Sequence, residues 1–279
     1  MKGIVEGMTN EDYHAHTALG STQVKAAIKS LAHFKAMRDG KLIKKSDAMD
    51  LGSAVHSAIL EGSMEGFIQV PKGLVRNDKH QAWKDFKAKN VGKTMLTFDD
   101  YSKVENMFCA FYRTEIAAKL LCKGRAELSF FAKDPTTGLE LRARPDYFVE
   151  TDEWVYIVDL KTSKDASPEA FQKDVYNYRY DISAAHYIKV VELVTGKKVK
   201  DYFILAVESS VPHGTAIYRL DEDCLARADK RLSCVLSQIA KAQEDKIYSG
   251  YSEKVVDLDI PHWAIRSEDE TLNQEVVNE

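Results

Sequence analysis

Between Trp154 and Leu160 the chain is apolar at almost every position, and Asp159 is the one charge in the run. A strand with two apolar faces must be covered on both, so the run calls for a sheet with helices packed on either side. The rest of the chain supplies candidates for those layers. Val24, Ala27, Ile28, Leu31 and Phe34 fall at helical spacing after Ser21, and Gly40 closes the segment. A second helix is expected over residues 47–62, with Leu51, Val55, Ala58 and Ile59 inward. Residues 71–92 read as loop followed by helix, and 99–122 as one long helix with Val104, Phe108, Phe111 and Leu120 inward.

The pattern then changes to strands. Residues 126–132 and 139–149 read as two strands joined by a turn at Asp134-Pro-Thr-Thr-Gly138, and the apolar run completes a three-strand meander. Ser167-Pro168-Glu169 opens a helix with proline at its first position. Residues 180–195 form a further helix ended by Gly196, 202–207 and 216–220 return as strands, and 221–247 is a last helix. The order predicts an α/β (α+β) fold, a mixed central sheet flanked by helices. One domain is expected over residues 1–265, with an acidic, disordered tail over 266–279.

Composition bounds the function classes. No apolar run is long enough to span a bilayer, and the N-terminus lacks the apolar core of a signal peptide, so no membrane and a cytoplasmic location are expected. Cys109, Cys122, Cys224 and Cys234 are widely spaced and contain no Cys-x-x-Cys pair, so they read as reduced and mostly buried. The chain carries a net charge of −4. Residues 266–279 hold five acids and one base, so residues 1–265 are neutral. A neutral body neither demands nor forbids a basic groove for nucleic acid.

The chemistry concentrates around the run. Asp159 stands at its exit, where an acid is costly unless paired or bound to metal. Lys161, two residues on, leaves the same face. Asp146 follows Arg142 and Arg144 on the preceding strand and reaches the same point if the two strands are neighbours. Two carboxylates that hold a divalent cation beside an ammonium suit phosphodiester hydrolysis. The plainer alternative is an Asp–Lys salt bridge at a strand end. Glu127, on the first strand of the meander, is a third acid or an exposed strand glutamate. His56, in Gly52-Ser-Ala-Val-His56, is a ligand or a packed helix histidine. Tyr180 and Tyr187 share one helix face, as core or as hydroxyls that meet a phosphate backbone. Lys72, Arg76 and Lys79 form a basic loop near Trp83, which either contacts phosphates or is simply solvated. Alternation puts Arg142 and Arg144 on the face of Asp146, as DNA contacts.

Pro145-Asp146 followed, after twelve intervening residues, by Asp159-Leu-Lys161 resembles the PD-(D/E)xK nuclease signature. Four further segments are similar to the RecE-type exonuclease (exodeoxyribonuclease VIII) group of phage and prophage recombination proteins. They are Tyr13-His14 with the helix after Leu19-Gly20-Ser21-Thr22, Gly52–His56 with Leu60-Glu61-Gly62, Ala126-Glu127-Leu-Ser129, and Tyr180 to Tyr187. The similarity covers roughly residues 10–265. It implies a restriction-endonuclease-like core that degrades linear double-stranded DNA 5′→3′ and leaves 3′ overhangs for a single-strand annealing protein. It also implies a homo-oligomeric ring in a bacterial host cell. By the family pattern His56, Glu127, Asp146, Asp159 and the Leu160 carbonyl hold Mg²⁺ or Mn²⁺, two ions in all, and Lys161 orients or activates water. Ser183 stands four residues before Tyr187, where many relatives of the wider RecB-like group carry glutamine. Some relatives hold an iron–sulfur cluster on four cysteines; the spacing of Cys224 and Cys234 does not match it, so no cluster is expected. A related single-strand-specific nuclease or endonuclease, or a non-catalytic DNA-end-binding scaffold, are the alternatives.

Overall fold

The computed structural model describes residues 3–42, 47–260 and 265. A short strand, β1 (Gly3–Val5), leads into α1 (Asn10–Ala15), capped by the Thr9 hydroxyl, which accepts the Asp12 N–H. Where the apolar spacing predicts one helix from Ser21, there are two, α2 (Ser21–Lys29) and α3 (Leu31–Arg38). Ser30 divides them: its backbone is extended and its hydroxyl accepts the His33 N–H, so it ends one helix and caps the next. Helix α4 (Asp47–His56) runs on through a π turn (Ser57–Glu61) to Gly62, whose left-handed backbone closes it. Strands β2 (Phe67–Gln69) and β3 (Thr94–Leu96) pair in parallel around α5 (Gln81–Lys89). The long helix expected over 99–122 is also two, α6 (Phe98–Tyr112) and α7 (Glu115–Leu120), separated by an extended Thr114.

Four short strands follow: β4 (Arg125–Ala126), β5 (Ser129–Lys133), β6 (Glu140–Ala143) and β7 (Tyr147–Glu150). The apolar run is β8 (Trp154–Ser163), and α8 (Pro168–Asn177) and α9 (Tyr180–Thr195) carry the chain to β9 (Lys198–Glu208), β10 (Thr215–Arg219) and α10 (Glu222–Asp245). The main sheet has the order β10-β9-β8-β7-β4, with β8 and β9 parallel and the other pairs antiparallel. A second sheet, β1-β5-β6, is antiparallel.

The expected meander is thus divided between two sheets. Pro145 offers no N–H to a ladder and holds Arg144 extended, so the strand expected over 139–149 breaks there into β6 and β7. Opposite it, the strand expected over 126–132 breaks at Glu127, whose φ of 53° lies in the left-handed region. The two breaks are joined by the Glu127 N–H, which donates to the Asp146 carbonyl at 3.2 Å.

Both faces of β8 are covered, as its composition requires. Val155 and Ile157 pack with Phe148, Tyr202 and Ile204 beneath α2, α9 and α10, which contribute Val24, Ile182 and Leu232. Val158 and Leu160 pack with Tyr147, Val149 and Leu205 against Val55, Ile59, Val104 and Met107 of α4, its π turn and α6. Each such side chain contributes about 1.5–3 kcal/mol on full burial. Among the described residues no helix is long and apolar enough to cross a membrane. The four cysteines are free, but Cys109, Cys122 and Cys234 are exposed and Cys224 half-buried, which corrects the expectation of burial. Cys109, Cys224 and Cys234 sit on helices whose inward positions are taken by other apolar side chains, and Cys122 follows the end of α7.

Residues up to Tyr248 form one compact unit, and a second begins at Ser249. Within the second, residues 249–260 carry neither helix nor strand and are exposed. The expected boundary at residue 265 falls inside it, and the acidic tail over 266–279 lies outside the described residues.

Candidate active site

The register of β7 on β8 pairs Tyr147 with Val158, so Asp146 stands one step further on, beside Asp159. That placement brings the two aspartates together at the point where β7 begins. Asp159 is 2% exposed, and its Oδ2 lies 2.6 Å from Lys161 Nζ. The plain Asp–Lys pair therefore exists, as one part of a larger cluster. Lys161 Nζ also donates to the Leu160 carbonyl at 3.1 Å and lies 3.8 Å from Asp146 Oδ2. The same Asp146 oxygen accepts the Leu160 N–H at 2.6 Å and is 3.7 Å from His56 Nδ1.

His56 reaches this point from the last turn of α4, on the opposite side of the sheet from α9. Gly52, one turn earlier, lies over the end of β8: a Cβ there would stand 3.8 Å from the Thr162 hydroxyl. Glu127 arrives from the break between β4 and β5. One ligand atom from each of His56, Glu127 and Asp146 lie within 4.8 Å of one another. Asp159 is outside that trio, its carboxylate turned to Lys161.

Electrostatics mark the cluster as short of positive charge. Burial pushes Asp146 well above the usual carboxylate range, and the neighbouring Asp159 adds to the effect. Burial raises Glu127 to about 7, opposed by Arg144 and reinforced by Glu61 and Asp159. His56 falls to about 4, through burial and then the Lys161 charge, and so is neutral and available as a ligand. For Lys161 burial works downward, but Asp159 and Asp146 outweigh it, and the ammonium is held above the ordinary lysine value. The left-handed backbone of Glu127 costs about 1–2 kcal/mol for a non-glycine residue, a strain characteristic of functional positions.

The other expected residues separate into three groups. Arg142 and Arg144 are buried and braced against the N-terminal segment, which corrects their reading as DNA contacts. The Arg142 guanidinium donates to the carbonyls of Tyr13 and His16, and Arg144 to Ser129 Oγ, Asn10 Oδ1 and the Met8 carbonyl. Both stack on the Tyr13 ring, at 4.7 and 4.2 Å. Arg76 and Lys79 are exposed on the loop before α5, with Arg76 lying 5.8 Å from the Trp83 ring. Tyr180 is at the cluster, its ring 5.5 Å from Lys161 Nζ. Tyr187 is half-buried, its hydroxyl near Ser21 and Asp159, and Ser183 is buried.

Sequence reading missed three neighbours. Lys25 on α2 is lowered to about 8 by burial and by Lys161, and its ammonium donates to the Tyr178 carbonyl. Tyr202 of β9 is buried beside Asp159, and Glu61 adds its charge to Glu127. Lys25 and Tyr202 carry no local signal, and Glu61 stood out only as part of the Leu60-Glu61-Gly62 segment, because each acquires its neighbour through packing of distant elements.

The donor set suits a hard divalent cation. The trio offers two carboxylate oxygens and one imidazole nitrogen, with no thiolate. Burial first, and neighbouring carboxylates second, disfavour the charged forms of Glu127 and Asp146, and a bound cation would favour them.

Residues 20–258 match a family model described as a PDDEXK-like domain of unknown function (DUF3799). No curated protein matches the chain. Among solved structures, a candidate exonuclease from Eubacterium rectale superposes with a TM-score of 0.63 at 16% identity, over 94% of this chain and 98% of that one. A phage-related exonuclease from Haemophilus somnus 129PT matches over 85% of this chain and 100% of its own, at 11% identity and a TM-score of 0.35. The alkaline exonuclease of Laribacter hongkongensis matches over 70% and 97%, at 12% identity and a TM-score of 0.30. The first shares the fold; the other two superpose too weakly to support an argument. With the family model spanning most of the chain, and the Asp146, Asp159 and Lys161 signature assembled at one point, this protein belongs to the PDDEXK-like family DUF3799.

Proposed function

We propose that the protein is a metal-dependent nuclease that hydrolyses phosphodiester bonds of DNA. The observation that carries this reading is the convergence of His56, Glu127 and Asp146 within 4.8 Å, next to an Asp159–Lys161 pair at 2.6 Å. His56, Glu127, Asp146, Asp159 and the Leu160 carbonyl would hold Mg²⁺ or Mn²⁺. A bound divalent ion supplies Lewis-acid activation of water and charge neutralisation at the phosphate.

The chain's own residues divide the remaining work. Asp159 and Asp146 hold the Lys161 ammonium above the ordinary lysine value in the metal-free protein, which places a hydrogen-bond donor and positive charge beside the site for water or phosphate. The Leu160 N–H pins one oxygen of Asp146, which sets the orientation of its carboxylate. Burial raises the Glu127 carboxyl to about 7 in the metal-free protein, so binding a cation there would displace its proton. Arg144 acts through Ser129 and the N-terminal segment to keep the sheet break in place.

The finer reading is a 5′→3′ exonuclease of the RecE kind. It would resect linear double-stranded DNA to 3′ overhangs for a single-strand annealing partner, as a ring of subunits in the bacterial cytoplasm. Arg76, Lys79, Tyr180 and Tyr187 would contact the DNA. Its support is the motif order along the chain together with a shared fold with a protein assigned as an exonuclease. The test is linear duplex labelled at the 5′ or the 3′ end, incubated with Mg²⁺, Mn²⁺ or EDTA, beside Asp159→Ala. Metal-dependent release from 5′ ends, lost in the variant, is expected. Release from 3′ ends overturns the polarity, cutting of closed circles overturns the exonuclease reading, and binding without hydrolysis leaves only a scaffold.

A further inference from the structure

Across the junction of α8 and α9 the chain reads Tyr176-Asn177-Tyr178-Arg179-Tyr180, three aromatic rings in five residues, with Tyr178 and Arg179 as the link. Two of them point into solvent: Tyr176 is 71% exposed and Tyr178 58%. Their neighbours Gln172, Lys173 and Asn177 are polar and exposed, so the rings are isolated π faces and not an apolar patch for a protein. They are also continuous with the candidate active site. The Tyr178 ring stacks on Tyr180 at 5.6 Å and 27°, and the Tyr180 ring also lies 5.5 Å from the Lys161 ammonium. At its inner end the ladder rests on buried Phe171, 6.1 Å from Tyr180, itself stacked on Tyr218.

The link is held rigid. Arg179 has a left-handed backbone, φ 54°, and its guanidinium grips Asp181 with two hydrogen bonds of 3.1 and 2.9 Å. The same guanidinium lies 5.6 Å from the Tyr176 ring. Lys25 donates to the Tyr178 carbonyl at 3.2 Å and lies 6.0 Å from the Tyr180 ring. Strain in a non-glycine link, together with exposed aromatic rings one step from the catalytic lysine, is a combination that packing alone does not call for.

We propose that Tyr178, flanked by Tyr176, is a stacking platform for an unpaired base of the strand being cut, one or two nucleotides from the scissile phosphate. The inference rests on the nuclease reading above and names what that site grips: a single-stranded end, through a base face and without sequence preference. Every base has a π face, so an aromatic platform is sequence-tolerant, and cations beside it suit the phosphates.

The test titrates a phosphorothioate-linked single-stranded oligonucleotide with 2-aminopurine near its end against wild type, Tyr178→Ala, Tyr178→Phe, Tyr178→Trp and Tyr176→Ala. Stacking predicts quenched fluorescence with wild type and affinity weakened roughly tenfold by Tyr178→Ala. Phe and Trp should retain binding and quenching, and Tyr176→Ala should have a smaller effect. Hydrolysis of bis(p-nitrophenyl) phosphate, which has no base, should be unchanged by Tyr178→Ala, and its melting temperature serves as the folding control. Unchanged affinity in Tyr178→Ala, or an equal loss in Tyr178→Phe, overturns the platform while hydrolysis by wild type leaves the nuclease reading intact. Absence of metal-dependent hydrolysis in wild type overturns both.

Discussion

Replacing Glu127 by glutamine should stabilise the metal-free protein at pH 8 while removing its activity. Burial, with Glu61 and Asp159 beside it, raises the Glu127 carboxyl from 4.5 to about 7. In the unfolded chain the same group titrates near its ordinary value. Between those limits the folded state binds the proton more tightly, so stability is highest below the unfolded pKa and is lost as pH rises through the folded one. At about 1.36 kcal/mol per pKa unit, ionised Glu127 costs the folded apoprotein on the order of 3 kcal/mol at pH 8. Its partial exposure discounts that figure to roughly 1–2 kcal/mol. For a unit of this size that corresponds to an increase of roughly 3–6 °C in Tm. Glutamine keeps the length of the side chain and the left-handed backbone, so the comparison isolates the charge. The assay is thermal unfolding of both proteins in EDTA from pH 5 to pH 8.5, repeated with Mn²⁺. Wild type should lose Tm between pH 5 and pH 7 more steeply than the variant. Saturating Mn²⁺ should then stabilise wild type by more than it stabilises the variant, since the variant has lost one charged ligand. Equal Tm values at pH 8 in EDTA, or the same pH slope for both, refute the reasoning.

Lys161→Met should lower kcat by about 10²–10⁴-fold, since a positioned donor and charge is lost from the transition state. It should also lower the Tm of the apoprotein, because Asp146 and Asp159 lose the cation 3.8 and 2.6 Å away; a rise in Tm would contradict the charge assignment. Gly124→Ala should destabilise the protein by about 1–3 kcal/mol and reduce turnover beyond what the stability loss explains. An added Cβ would collide with the Phe148 carbonyl, the Tyr147 ring and a Val149 methyl, which levers β4 and then Glu127 away from Asp146; wild-type Tm and kcat in the variant would refute this. His186 is fully buried, its Nε2 2.9 Å from the Arg142 carbonyl, and burial lowers it to about 4. The unfolded chain takes up its proton first as pH falls, so up to about 3 kcal/mol is lost from pH 6.5 down to pH 4. His186→Gln should flatten that part of the stability profile, measured by urea unfolding.

Residues 154–161 show what one-dimensional pattern determines. A two-faced apolar run must be a covered strand, and the period of two puts Asp159 and Lys161 on one face; both follow from local backbone geometry. Helix ends at Ser167-Pro168, Gly62 and Gly196 were equally legible, because caps and left-handed closures depend on single residue types. Ser30 was not, although it is a standard capping residue, since the apolar spacing runs unbroken through it.

What tertiary structure decided begins at the sheet break. Glu127 looked like a residue on a strand and is instead the left-handed link between two sheets, bonded to the Asp146 carbonyl. Arg142 and Arg144 alternate toward the site in sequence, yet the N-terminal segment offers them carbonyls and a tyrosine face, and a buried guanidinium must accept such partners. His56 and Lys25 join the cluster from helices on opposite sides of the sheet. The sequence by itself determined the strand, the aspartate and the lysine, because their relation spans two residues of one backbone. The composition of the cluster around them depended on chain segments some twenty to more than one hundred and thirty residues apart. Such relations have no period for a pattern to carry, and only packing brings them within a few ångströms.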